Sequence, residues 1–170
     1  MTVFVALLRA VNVGGTGVLP MKVLSAHCTE LGFERVRTYI QSGNVVFESA
    51  GDENEVRRLL ADSLADLMGK PIGVAVRNAA ALAAVLEANP FPDAPPAQVA
   101  VAFHHAALPR TLLDGFSTPG GEEVRLGQRE LYVHYPNGMG RSRLKLPLPP
   151  GEVTVRNINT VSKLVALAGD

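Results

Sequence analysis

Four short stretches of the chain gather residues suited to holding an anion. The first runs Arg9-Ala10-Val11-Asn12-Val13-Gly14-Gly15-Thr16-Gly17, and the second is Gln41-Ser42-Gly43-Asn44. Neither contains a carboxylate. Glycines let backbone N–H groups come close to a ligand, and amides and hydroxyls add short neutral hydrogen bonds. The third stretch, Tyr135 to Lys145, also lacks an acid and carries Arg141, Ser142, Arg143 and Lys145. The fourth, Thr154 to Lys163, brings Arg156, Asn157, Asn159 and Lys163 to the start of a helix. From Tyr132 onward five basic side chains stand against two acidic ones, in a chain whose 16 basic and 16 acidic residues cancel. Anion binding must therefore be local, and phosphate is the ligand this composition suits. Arginine and lysine would take the charge, and the amides would orient the rest of the molecule. The residues expected to bind are Arg9, Asn12, Gly14, Gly15, Gln41, Ser42, Asn44, Arg141, Ser142, Arg156, Asn157, Asn159 and Lys163.

A plainer account competes at each stretch. Three glycines negotiate a tight turn, Ser-Gly turns a hairpin, and basic side chains cover a solvated surface. The Gly-Gly-Thr-Gly run lacks the Lys-Ser or Lys-Thr of a phosphate-binding loop and the spacing of a dinucleotide fingerprint. Catalytic chemistry is thinly represented. His104 and His105 are adjacent at a strand end, where alternation would point them apart. His27 and Cys28 diverge on a helix, and no nucleophile, histidine and acid stand together in local sequence. No metal or cofactor is expected, and whether the chain is an enzyme stays open.

The elements that would position these stretches follow from hydrophobic periodicity. Val3 to Leu8 is a continuous apolar run, which suits a strand buried on both faces. Met21, Leu24, Cys28 and Leu31 share one face of a helix that opens after Pro20 and ends at Gly32. That helix would aim its positive end at the first glycine loop. Residues from Arg35 to Gln41 alternate as a half-buried strand, Ser42-Gly43 turns a hairpin, and Asn44 to Glu48 returns. Asp52 caps a helix to about Met68 with Val56, Leu59, Leu60, Leu64 and Leu67 inward, and Pro71 to Arg77 is a fourth strand. The order β-α-β-β-α-β is ferredoxin-like, and it brings the loop after the first strand to the same sheet edge as the hairpin.

Asn78 caps a third helix, and the proline-rich segment Pro90 to Pro96 marks the connection to a second, smaller α+β lobe. The lobes are expected over residues 1–88 and 98–170. In the second, Val99 to Phe103 is a strand and Pro109 to Leu113 a short helix. Gly127-Gln128-Arg129 turns a hairpin, Arg141 to Leu146 is one helical turn, and Asn157 or Asn159 caps a last helix. This half echoes the first only loosely.

Five ordered motifs resemble the bacterial family called domain of unknown function 1697. They are Arg9 to Gly15, Tyr39 to Val45, Asn89-Pro90-Phe91, Gly138-Met139-Gly140-Arg141-Ser142, and Arg156 to Val161 with Lys163-Leu164. The resemblance spans nearly the whole chain and implies a two-lobed α+β fold with no assigned activity. It also implies that the four polar stretches belong together. Ile158 departs from the aromatic common at that point of the family, which removes a stacking surface there.

Composition bounds the rest. A hydrophobic fraction of 47% supports a sizeable core, and a lone cysteine excludes an internal disulfide and fits a cytoplasmic protein. No apolar run approaches the roughly 20 residues a membrane helix needs. The expected partner is a phosphorylated small molecule or nucleotide. The alternatives are a nucleic-acid-binding module and an interaction protein without a small ligand. The first of these is the weaker because the first strand is apolar on both faces and the third lacks the aromatic pattern of RNA-binding sheets.

Overall fold

The N-terminal apolar run is a strand, β1 (Thr2–Leu8), in which every residue from Phe4 to Leu8 is buried. Alternate residues point to opposite faces of a sheet, so both faces of β1 are covered, as expected. The computed structural model describes residues 1–9, 19–40 and 43–169. After β1 come α1 (Met21–Glu30), β2 (Glu34–Tyr39), β3 (Asn44–Ser49), α2 (Glu53–Met68) and β4 (Val74–Asn78). The expected β-α-β-β-α-β order is present on one antiparallel sheet ordered β2-β3-β1-β4. Then follow α3 (Ala79–Glu87), β5 (Val99–Phe103), β6 (Glu123–Leu126), β7 (Glu130–His134), β8 (Thr154–Asn157) and α4 (Ile158–Ala168). The second sheet is ordered β6-β7-β5-β8 and is also antiparallel. The fold is α+β, and the chain divides into two compact units. One is Met1–Leu82 with Leu164–Asp170, and the other is Ala83–Lys163.

Helix boundaries obey local chemistry. Asp52 Oδ1 accepts the Glu55 amide at 2.9 Å to start α2, and that bond holds the Asp52 carboxyl below its usual range. The helix stops at Gly69, whose φ of 72° places it in the left-handed region. Asn78 Oδ1 accepts the Ala81 amide ahead of α3, and Asn157 Oδ1 accepts the Thr160 amide ahead of α4. In the first unit α1 and α2 bury Leu24, Cys28, Val56, Leu60 and Leu64 in the cluster that holds Phe4, Ala6, Val45 and Phe47. Phe33 stacks on Phe47 at 4.2 Å. In the second unit loops cover the corresponding core. Leu108, Leu112, Leu113 and Phe116 from one segment, and Leu144, Leu146 and Leu148 from another, pack with Ala100, Leu131 and Val133.

Several expectations fail locally. Leu59 and Leu67 are 44% and 45% exposed, because the buried stripe of α2 is the narrower set Val56, Leu60 and Leu64. The expected Ser42-Gly43 turn falls partly outside the described residues. Tyr39 pairs with Asn44, and Ile40, expected within the strand, lies beyond its end with φ of 51°. Positive φ is costly for a β-branched residue. Residues 109–116 form successive turns closed by Leu112 to Pro109, Asp114 to Thr111 and Phe116 to Leu113 bonds, not a helix. A 3-10 turn occupies Met139–Arg141, and the residues after it are extended enough to point alternate leucines at the core. His104 and His105 do not diverge: β5 ends at Phe103, and their rings stack at 4.5 Å.

The second half follows the first more closely than its sequence suggests. Val5 pairs with Arg77 and Phe4 with Asn78; Val101 pairs with Arg156 and Ala100 with Asn157. Each sheet thus ends on a strand that carries a buried arginine followed by a capping asparagine. The helices between strands in the first unit are replaced in the second by turns and proline-rich loops, which hides the repeat from periodicity.

Candidate functional site

The polar stretches of the second unit surround a recess built from two turns. Thr118 Oγ1 donates to the Glu122 carbonyl at 2.9 Å, and Pro119-Gly120-Gly121 between them turns with a φ of 82° at Gly121. The turn delivers Glu122 to the start of β6 with its side chain in the inward phase shared by Val124. At the end of β7 the Tyr135 amide donates to Gln98, and Gly138, with φ of 85°, returns an amide bond to the Tyr135 carbonyl. The 3-10 turn then delivers Arg141, Ser142 and Arg143, and Leu144 anchors the far end in the core.

The center of this recess is a carboxylate. Glu122 Oε2 accepts the Ser142 hydroxyl at 2.7 Å, and Oε1 accepts the Gly120 amide at 2.8 Å. Ser142 Oγ in turn accepts the Leu144 amide at 3.1 Å. The Ser142 hydroxyl is the main cause that holds the Glu122 carboxyl below its usual range. A Cβ on Gly120 would lie 3.0 Å from Glu122 Oε2, so a larger residue there would press on the carboxylate. Tyr135 is buried beside this group; burial raises its phenol pKa, and the charge of Glu122 adds to the rise. Arg141, Arg143, Asn137 and Pro119 complete a cavity of about 160 Å³. Arg141 and Arg143 are exposed, and neither makes an ion pair with a described residue.

The expected site residues are distributed as follows. Asn12, Gly14, Gly15, Gln41 and Ser42 lie outside the described residues. Arg9 is half-buried at the end of β1; its amide donates to Gly73, and the neighboring Leu8 amide donates to Gly43. Leu7 pairs with Asn44. The end of the first strand and the hairpin therefore meet at one edge of the sheet. Asn44 is fully buried, and its Nδ2 donates to the Tyr39 carbonyl at 2.9 Å, which closes the hairpin.

In the second unit Arg141 and Ser142 line the recess together. Arg156 lies on β8, 9% exposed, and donates to the Val155 carbonyl; burial lowers its pKa to about 10, which leaves it a cation at neutral pH. The Asn157 side chain is engaged as the cap of α4, while Asn159 and Lys163, one helical turn apart, are exposed. Ile158 is buried, so no stacking surface is offered there. Tyr135 and Arg143 stand in the third polar stretch, but neither they nor Gly120 and Glu122 were among the residues expected to bind. A usable signal existed for Glu122, since it stands two residues before Val124 in a strand that alternates, and an inward acid requires donors.

Among the described residues no group of three histidine, cysteine or acidic side chains could hold a metal ion. No helix among them is long and apolar enough to cross a membrane.

Comparison with known proteins adds family and fold. The model of a family described as protein of unknown function, DUF1697, matches residues 1–132. A conserved bacterial protein from Streptococcus pneumoniae has a similar structure, with a TM-score of 0.84 at 22% identity, over 100% of this chain and 99% of that one. At that identity the likeness shows the fold alone. Among curated proteins none matches the chain significantly.

Proposed function

The chain belongs to the DUF1697 family, and on that footing we propose that it binds a small phosphorylated molecule. The observation that carries this reading is the pair Arg141 and Arg143 at the rim of the recess, on a run from Tyr135 to Lys145 without an acid, and with no ion-pair partner among the described residues. Arginine presents planar donors that match phosphate oxygens, and a cation not already paired gives up little to bind one. Asn137 supplies a neutral donor on the same wall. A nucleotide could offer its phosphate to this rim, but only a short molecule fits inside about 160 Å³. Arg9, at the loop end of the first sheet, is a second basic group suited to an anion.

A nucleic-acid-binding role through a sheet face is less well supported. Every residue of β5 is buried, as is β1 from Phe4 onward, which leaves no aromatic platform on either central strand.

Thermal melting with inorganic phosphate and a panel of phosphate esters tests the proposal. A ligand at about 100 times its Kd stabilises the folded state by about 2.7 kcal/mol. The melting temperature should rise with at least one phosphate compound, and the rise should disappear in Arg141→Ala/Arg143→Ala. No rise with any compound at millimolar concentration would refute the proposal.

A further inference from the structure

The rim of the recess is basic, but its floor is not. Glu122 is buried there as a carboxylate, and each oxygen that accepts one protein hydrogen bond retains capacity for another. Beside it Tyr135 is only 6% exposed, yet its hydroxyl makes no hydrogen bond with any described residue. The hydroxyl itself is open to the cavity and not paired among the described residues, so it is available to a group that enters. Burial keeps this phenol protonated at neutral pH, so it can donate or accept.

These two groups restrict what can occupy the floor. A bare anion pushed inward meets the negative charge of Glu122 at short range. A protonated amine meets a carboxylate and a phenol oxygen, both able to accept its N–H bonds. At the mouth the preference reverses, because Arg141 and Arg143 attract a negative group. The size is also selective: ligand pockets for drug-sized molecules hold about 300–1,000 Å³, well above the 160 Å³ here. We infer that the recess takes a small phosphate ester that also carries a protonated amine, the amine set between Glu122 and Tyr135 and the phosphate on Arg141 and Arg143. This rests on the phosphate-binding reading of the same recess and adds the chemistry of the other end of the ligand.

A different role for the Glu122–Ser142 bond is purely mechanical, as a latch that ties the Ser142 loop to the Gly120 turn. The two roles separate by titration calorimetry of the full chain with three probes at matched ionic strength: inorganic phosphate, O-phosphoethanolamine and ethanolamine. O-phosphoethanolamine should bind about tenfold more tightly than inorganic phosphate, a gap of about 1.4 kcal/mol, and ethanolamine should bind most weakly. Tyr135→Phe keeps the ring in the core and removes only the hydroxyl. It should narrow that gap while leaving the affinity for inorganic phosphate unchanged. Glu122→Gln should narrow it further. Equal binding of phosphate and O-phosphoethanolamine would overturn the inference and leave the anion site standing. An unchanged gap in Tyr135→Phe would also overturn it. Absence of binding by both phosphate probes would remove the inference together with the reading beneath it.

Discussion

The Glu122–Ser142 hydrogen bond is short, partly enclosed and made to an ionised acceptor. Its contribution must therefore depend on pH. The folded-state pKa of Glu122 lies below the ordinary value of 4.5, so the linked stabilisation is fully present above that value. It is lost as the pH falls through the folded-state pKa. Ser142→Ala removes the main cause of that shift. The variant should be less stable than the parent at neutral pH, and the difference in urea midpoint should shrink at an acid pH below the folded-state pKa of Glu122. An equal difference at both pH values would mean that the serine acts only through its bond to the Leu144 amide. The serine was recognizable in the sequence as polar and close to arginines. That it faces an acid was not, because its partner lies 20 residues earlier and local sequence does not report contacts across a loop.

At the scale of elements, the strands were the easiest part to read, because β1, β3, β5 and β7 are apolar runs bounded by turn residues. The Asp52 and Asn78 caps were equally legible, since a cap is a local bond, and Asn157 was one of two candidates for the last. Helix faces were read too broadly. Leu59 and Leu67 fit a 3.6-residue stripe in the sequence, but only Val56, Leu60 and Leu64 reach the core. Leu60→Ala should destabilise the chain by about 2–5 kcal/mol in urea denaturation, as for other fully buried leucines. Leu59→Ala should change it by no more than about 0.5 kcal/mol, as for exposed positions. Similar losses at the two sites would contradict the packing described for α2. The segments over the second core were misread for another reason. Leu144, Leu146 and Leu148 pack inward at every second residue, where one helical turn was expected, yet they belong to no strand.

Across the whole molecule, one sheet order occurs twice, with buried Arg77 and Arg156 at matching register positions. Sequence alone revealed the first occurrence and missed the second, because helices are easier to recognise than the turn-built cover that replaces them. The candidate site was half legible for the same reason. Its basic rim is a run of neighbors in sequence, whereas its acidic floor is assembled from the starts and ends of separate strands. The charge balance of the chain is zero, so the proposed binding rests on this local arrangement and not on a global field. The most direct measurement is an NMR titration of the labeled chain with O-phosphoethanolamine, following backbone amides. Saturable shifts centered on Gly120 to Glu122 and on Tyr135 to Arg143 are the predicted result. Shifts centered elsewhere, or none that saturate, would contradict a ligand site in this recess.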